Sequence, residues 1–263
     1  MKRDLNRGKR ALQRAKEFSF AARRPYASGM HFDVHVQSAT TCNAPPPSHL
    51  SGAVFFGAAC VETQRHTAAV APTGKWHVAA TLSALVGGSD ARYPAGTPAI
   101  VELDFPEDEL MAKLKLPRAE WWPLAETLRT QRQFLNIRLP TGSRVAAGVA
   151  RLASEFAAAR FLIDPFRHGP TSAWQAQARL AERENVWLST LGLRDAALWP
   201  RAEDVADAFY FMMGEVGASK VLYASGRTLP ECSDAESWLS AVPCVDAAQR
   251  ALILTLNAQE LFG

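Results

Sequence analysis

The sequence predicts an α/β fold, a (β/α)8 barrel distorted by one shortened strand region and preceded by an N-terminal helical arm. Three observations carry the prediction. Short β-branched or aromatic runs alternate with Ala-, Leu- and charge-rich helical stretches, as βα units do. Eight such runs fall between His31 and Ser225, and the 263-residue length suits a barrel, for which about 250 residues is typical. The charge balance breaks near residue 29, dividing the chain into an arm (1–29) and a barrel domain (30–263). An open doubly wound sheet is the competing arrangement.

The arm carries nine Lys or Arg against two acids, a charge of +7, which leaves −4 for the remainder of a chain whose total is +3. Leu5, Leu12 and Ala15 recur at helical spacing, and Arg10 and Arg14 flank them. An amphipathic basic helix of this kind suits docking on an acidic protein surface, so Leu5, Arg10, Leu12 and Arg14 are the candidate interaction residues. A solvated tail, a transit segment and a nucleic-acid contact are the other readings of the same charge, nucleic acid the weakest.

Along the body, the strand candidates are 31–36, 53–61, either 68–71 or 78–82, 99–104, 134–139, 160–164, 186–189 and 220–225. Helical stripes lie between them. Ala147, Leu152, Phe156 and Ala159 form one, Val205, Phe209, Met212 and Met213 another, and the last stretch, 246–262, is anchored by Leu252, Leu254, Leu256 and Leu261. With 48% hydrophobic residues the chain can bury a sizeable core. No run approaches the roughly 18 apolar residues of a membrane span. Four scattered cysteines form no C-x-x-C pair and no disulfide framework, so a reducing cytoplasm is the expected setting. No glycine-rich phosphate-binding signature follows any strand.

Several fragments, in order, resemble one family. Met30-His31-Phe32-Asp33-Val34-His35-Val36-Gln37 resembles the opening strand of the metal-dependent amidohydrolase superfamily, where an acid-x-His-x-His pattern ends strand one. Phe134–Leu139 is similar to its fourth strand, Phe161–Asp164 to its sixth, Asn185–Gly192 to its seventh, and 209–226 to its eighth helix–strand unit; Asn257–Gly263 is similar to its closing helix. The resemblance covers most of 30–263, weakly over 60–130.

It implies a barrel whose strand C-termini present His side chains and an Asp around a divalent metal that activates water, with the eighth-strand Asp accepting the proton. This sequence departs from that pattern. Gln37 replaces the second histidine of strand one, Pro165 follows Asp164 where a histidine is expected, and Ala224-Ser225-Gly226 lacks the eighth-strand carboxylate. The fifth strand and its histidine read as deleted between Leu139 and Arg160. His35 is then the one remnant ligand candidate, and a buried core histidine is the stronger reading of it.

Arg138, Arg167 and Arg227 follow three strand ends, and His168 lies in a loop on the same face, so these four are the candidate ligand-binding residues for a small anion. Pairing of each arginine with a local acid such as Asp164 or Asp234 is the alternative. The expectation is therefore a non-catalytic, amidohydrolase-like subunit without a cofactor, assembling with an active paralogue or a second copy of itself. The first alternative is an atypical hydrolase of a small anionic substrate with a reduced metal site of a single divalent ion, or none. The second is a nucleic-acid-associated protein using the arm.

Overall fold

The computed structural model describes residues 31–37, 46, 48, 50–56, 60–71, 73–82, 99–103, 105–137, 139–140, 144–171, 173–227 and 234–262. The helical arm expected at 1–29, with Leu5, Arg10, Leu12 and Arg14, lies outside them.

Eight parallel strands, β1 (His31–Gln37), β2 (Leu50–Phe56), β3 (Lys75–Leu82), β4 (Ile100–Leu103), β5 (Phe134–Ile137), β6 (Arg160–Ile163), β7 (Val186–Ser189) and β8 (Val221–Leu222), pair in sequence order. That order excludes the doubly wound alternative, whose strand order reverses at a switch point. The Val34 N–H donates to the Tyr223 carbonyl at 2.9 Å, linking β1 to the end of β8. The Ser225 N–H donates to Asp33 Oδ1 at 3.0 Å along the same seam. The chain thus forms the expected (β/α)8 barrel.

Helices α1 (Cys60–Val70), α2 (Glu107–Leu114), α3 (Arg118–Thr130), α4 (Arg144–Glu155), α5 (Trp174–Ala178), α6 (Ala202–Phe211), α7 (Ala235–Ser240) and α8 (Ala247–Ala251) surround the sheet, and α9 (Asn257–Phe262) lies across one end of the barrel. Their buried residues follow the helical period. Trp121, Leu124 and Leu128 form the inner face of α3; Val145, Val149 and Leu152 form that of α4, continued by Phe156. Ala147, expected in that stripe, is exposed because it lies on the opposite side of α4. Gly148 allows α4 to approach α2, since a Cβ there would sit 3.0 Å from the Leu114 side chain. Asp246 and Gln249 form a reciprocal capping box that starts α8.

The strands separate two cores by alternation. Leu135 and Ile137 of β5, Phe161 and Ile163 of β6, and Val186 and Leu188 of β7 pack outward against the helices. Phe32, Val34, Val54, Phe56, Ile100, Phe134, Leu162 and Leu222 fill the barrel. At its N-terminal end Phe262 of α9 packs against the rings of Phe134, Phe32 and His77, with centroids 5.1, 5.7 and 5.9 Å away. The floor is therefore apolar and closed by the chain's own last helix.

Of the two spans left open for one strand, 78–82 lies in β3, and 68–71 belongs to the end of α1 and its exit. One expectation is corrected. The fifth strand is not deleted: β3 and β4 both precede Phe134–Ile137, which is β5 and not the fourth strand. The error arose where the resemblance was weakest, over 60–130. The shortest strand is β8, two residues long.

Candidate functional site

The inward positions next above the apolar floor are polar. Glu102 of β4, Asn136 of β5, the residue after β6, Asp164, and Ser189 of β7 are each no more than 1% exposed. Each alternates with outward apolar neighbours, so strand pleating sends these four toward the barrel axis at its C-terminal end. Sites on this fold gather at that end.

Hydrogen bonds join the ring across strands. Asn136 Nδ2 donates to Asp164 Oδ2 at 2.9 Å, and Ser189 Oγ donates to Asp164 Oδ1 in a short contact. Glu102 is the register partner of Asn136 across β4 and β5 and faces Arg167, whose Nη1 lies 3.8 Å from Glu102 Oε1. Asp33, fully buried, accepts from the Ser225 backbone. The Thr190 hydroxyl donates to the Ala224 carbonyl and accepts from the Ala224 N–H, tying β7 to the end of β8. Two buried polar atoms of the ring have no hydrogen-bond partner among the described residues, Asn136 Oδ1 and Arg167 Nη1.

The four sequence-predicted ligand-binding residues separate. Arg167 belongs to the ring, through Glu102 and not through Asp164. His168 is exposed, and its Nε2 bonds the Leu139 carbonyl at 2.9 Å, so it braces the β5 and β6 loops. Arg227 is exposed and helps to hold the Asp234 carboxyl below its ordinary value, a smaller contribution than the hydrogen bond from Arg194. Arg138 lies outside the described residues, as do the side chains of His35 and Gln37. Gly226 has a φ of +67°, and a Cβ there would meet Leu191 Cδ1 at 2.8 Å.

Sequence reasoning missed Glu102, Asn136 and Ser189. The available signal was one polar residue between apolar neighbours in Val101-Glu102-Leu103 and Leu135-Asn136-Ile137. It also missed the buried Arg194, which donates to the Tyr223 hydroxyl and to Asp234 Oδ1 and lies 5.4 Å from the centroid of the Trp238 ring. That cluster fastens the segment after β7 to α7, outside the ring.

Neither family models nor curated proteins give a sequence match. Solved structures do share the fold. An amidohydrolase from Burkholderia multivorans with bound zinc has a TM-score of 0.66 at 13% identity, over 89% of this chain and 99% of that one. A candidate 2-pyrone-4,6-dicarboxylic acid hydrolase from Pseudomonas putida has a TM-score of 0.55 at 16% identity, over 89% and 98%. A 4-oxalomesaconate hydratase from Rhodopseudomonas palustris has 0.51 at 13%, over 89% and 95%. The barrel is thus the amidohydrolase fold that the fragments resembled.

The expectation of a chain without a cofactor is overturned by the Burkholderia structure, a protein of the same fold that holds zinc. The replacements at Gln37, Pro165 and Gly226 do not speak for the whole mouth, part of which lies outside the described residues. Among those residues the donors present do not fit a zinc cradle. Asp164 is engaged by two donors, Glu102 faces a guanidinium, and no three His, Cys, Asp or Glu side chains are grouped to hold an ion. No chemical step is therefore routed through a metal here.

Proposed function

We propose that this barrel holds a small anionic ligand at its mouth without transforming it, as a non-catalytic subunit beside an active partner or a second copy. The observation that carries the reading is the state of the mouth carboxylates. Glu102 and Asp164 are both buried, and each already faces a donor or a cation from a neighbouring strand or loop. A general base needs a lone pair aimed at the substrate's proton, and on Asp164 a donor already occupies each of the two oxygens, which competes with that role. The eighth-strand position where the resemblance implies a base is Gly226.

The ligand's charge is argued from Arg167, which brings a cation and an unused N–H to a buried ring. Two fold neighbours act, by name, on molecules rich in carboxylates: the dicarboxylic acid hydrolase and the oxalomesaconate hydratase. The reading holds with or without a metal in the barrel. Among the described residues no helix is long and apolar enough to cross a membrane, and a cytoplasmic setting is part of the proposal.

The test is a proton NMR time course on the full chain, supplied with zinc and with small lactones and amides that carry a carboxylate. The expected result is line broadening of bound ligand with no product after a day. Product formed in proportion to protein concentration overturns the non-catalytic reading and leaves the atypical hydrolase.

A further inference from the structure

The anionic ligand of the preceding section has a second feature fixed by Asn136. Asn136 Nδ2 donates to Asp164 Oδ2, the arrangement an ionised carboxylate, which only accepts hydrogen bonds, requires. That settles the orientation of the side chain. Its oxygen, Oδ1, is then an acceptor on a residue with no solvent exposure and no hydrogen-bond partner among the described residues. A buried acceptor left bare costs about 1–3 kcal/mol, and native interiors rarely keep one without a use.

Asn136 and Glu102 are register partners, and Arg167 Nη1 lies 3.8 Å from Glu102 Oε1, too far for a hydrogen bond. An unused acceptor and an unused cationic donor therefore flank one carboxylate. From this we infer that the mouth is built for a small hydroxycarboxylate: its hydroxyl donates to Asn136 Oδ1, and its carboxylate accepts from Arg167 Nη1. Glu102 between them repels a second carboxylate at that spot and sets which end of the ligand faces β5. A bare dicarboxylate satisfies Arg167 and leaves Asn136 unmet. Such a site discriminates against the deoxy analogue, because the buried acceptor then stays unpaired.

The inference rests on the anion-binding reading, and calorimetry with matched ligands separates the two. The full chain is titrated with malate and with succinate, then with lactate and with propionate, at one pH and ionic strength. The expected result is at least tenfold tighter binding of each hydroxy acid than of its partner. In Asn136→Leu the ratio of malate to succinate affinity falls to within about twofold. Equal affinity for malate and succinate in the unmodified chain overturns the hydroxyl inference and leaves anion binding standing, since a water on Asn136 serves both ligands alike. Binding of neither overturns the anion reading as well. The comparison within the unmodified chain decides the matter even where the variant fails to fold.

Discussion

Asn136 on β5 donates through Nδ2 to Asp164 Oδ2 on the adjacent strand's end at 2.9 Å, with both residues essentially unexposed. Two neighbouring strands are thereby held by a side-chain bond at the level where the barrel's core changes from apolar to polar, and the same bond fixes which amide atom faces the axis.

Asp164→Ala removes the acceptor of both Asn136 and Ser189. Two buried donors lose their partner, and a loss of about 3 kcal/mol follows from roughly 1–3 for each unsatisfied group. Urea unfolding of the variant checks it, through a lower midpoint at an unchanged slope.

Gly226→Asp restores the carboxylate that the resemblance places on the eighth strand, at a backbone φ of +67°. The left-handed region disfavours a side chain by about 1 kcal/mol, and aspartate is among the more tolerant residues there. Leu191 Cδ1, 2.8 Å from the new Cβ, is a movable end. The expected outcome is a folded protein about 1 kcal/mol less stable in a denaturant titration. No hydrolytic activity is gained, because Asp164 and Glu102 keep their present partners.

Lys220 gives the fold a pH dependence. Its Nζ lies 4.2 Å from the Trp187 ring centroid and donates to the Arg183 and Glu184 carbonyls. Burial, opposed in part by Glu184, lowers its pKa to about 8 from 10.5. Below pH 8 both folded and unfolded chains carry the proton, and the cost of burying the charge is felt in full. Between about pH 8 and 10.5 the folded chain releases it first, so this residue's contribution to stability rises with pH. Melting temperatures from pH 7 to 10 should show the unmodified chain gaining on Lys220→Met across that window. A constant difference contradicts the assignment.

The arm prediction comes from charge alone. Residues 1–29 carry +7 against −4 elsewhere, which favours contact between the arm of one chain and the acidic body of another. Deleting residues 1–29 should lower the mass seen by light scattering and leave the far-UV circular dichroism of the barrel in place. An unchanged mass returns the arm to targeting or nucleic-acid roles.

The barrel was legible in the sequence because alternation of strand and helix patterns depends on local periodicity, and the β6, β7 and β8 regions carried clear apolar runs. β3 sits between short stretches of mixed character, which hides one strand from the sequence pattern and makes Phe134–Ile137 resemble a fourth strand and not the fifth. The site was less legible. Arg167 stood out as a charge after a strand, but its partner Glu102 lies 65 residues earlier in the sequence. Only closure of the barrel brings them together. Asn136 and Ser189 look like ordinary strand residues until pleating sets them on the inner face. His168 had the residue type of a catalytic group, yet its ring serves the Leu139 carbonyl.

The central claim is that Arg167 is the anion-binding group of the mouth. Its most direct test is calorimetric titration of succinate into the unmodified chain and into Arg167→Met, with near-ultraviolet circular dichroism confirming that the variant keeps its packing. Arg167→Met is expected to lower succinate affinity at least tenfold, through loss of a charge-assisted hydrogen bond. Equal affinities in the two folded proteins would contradict it.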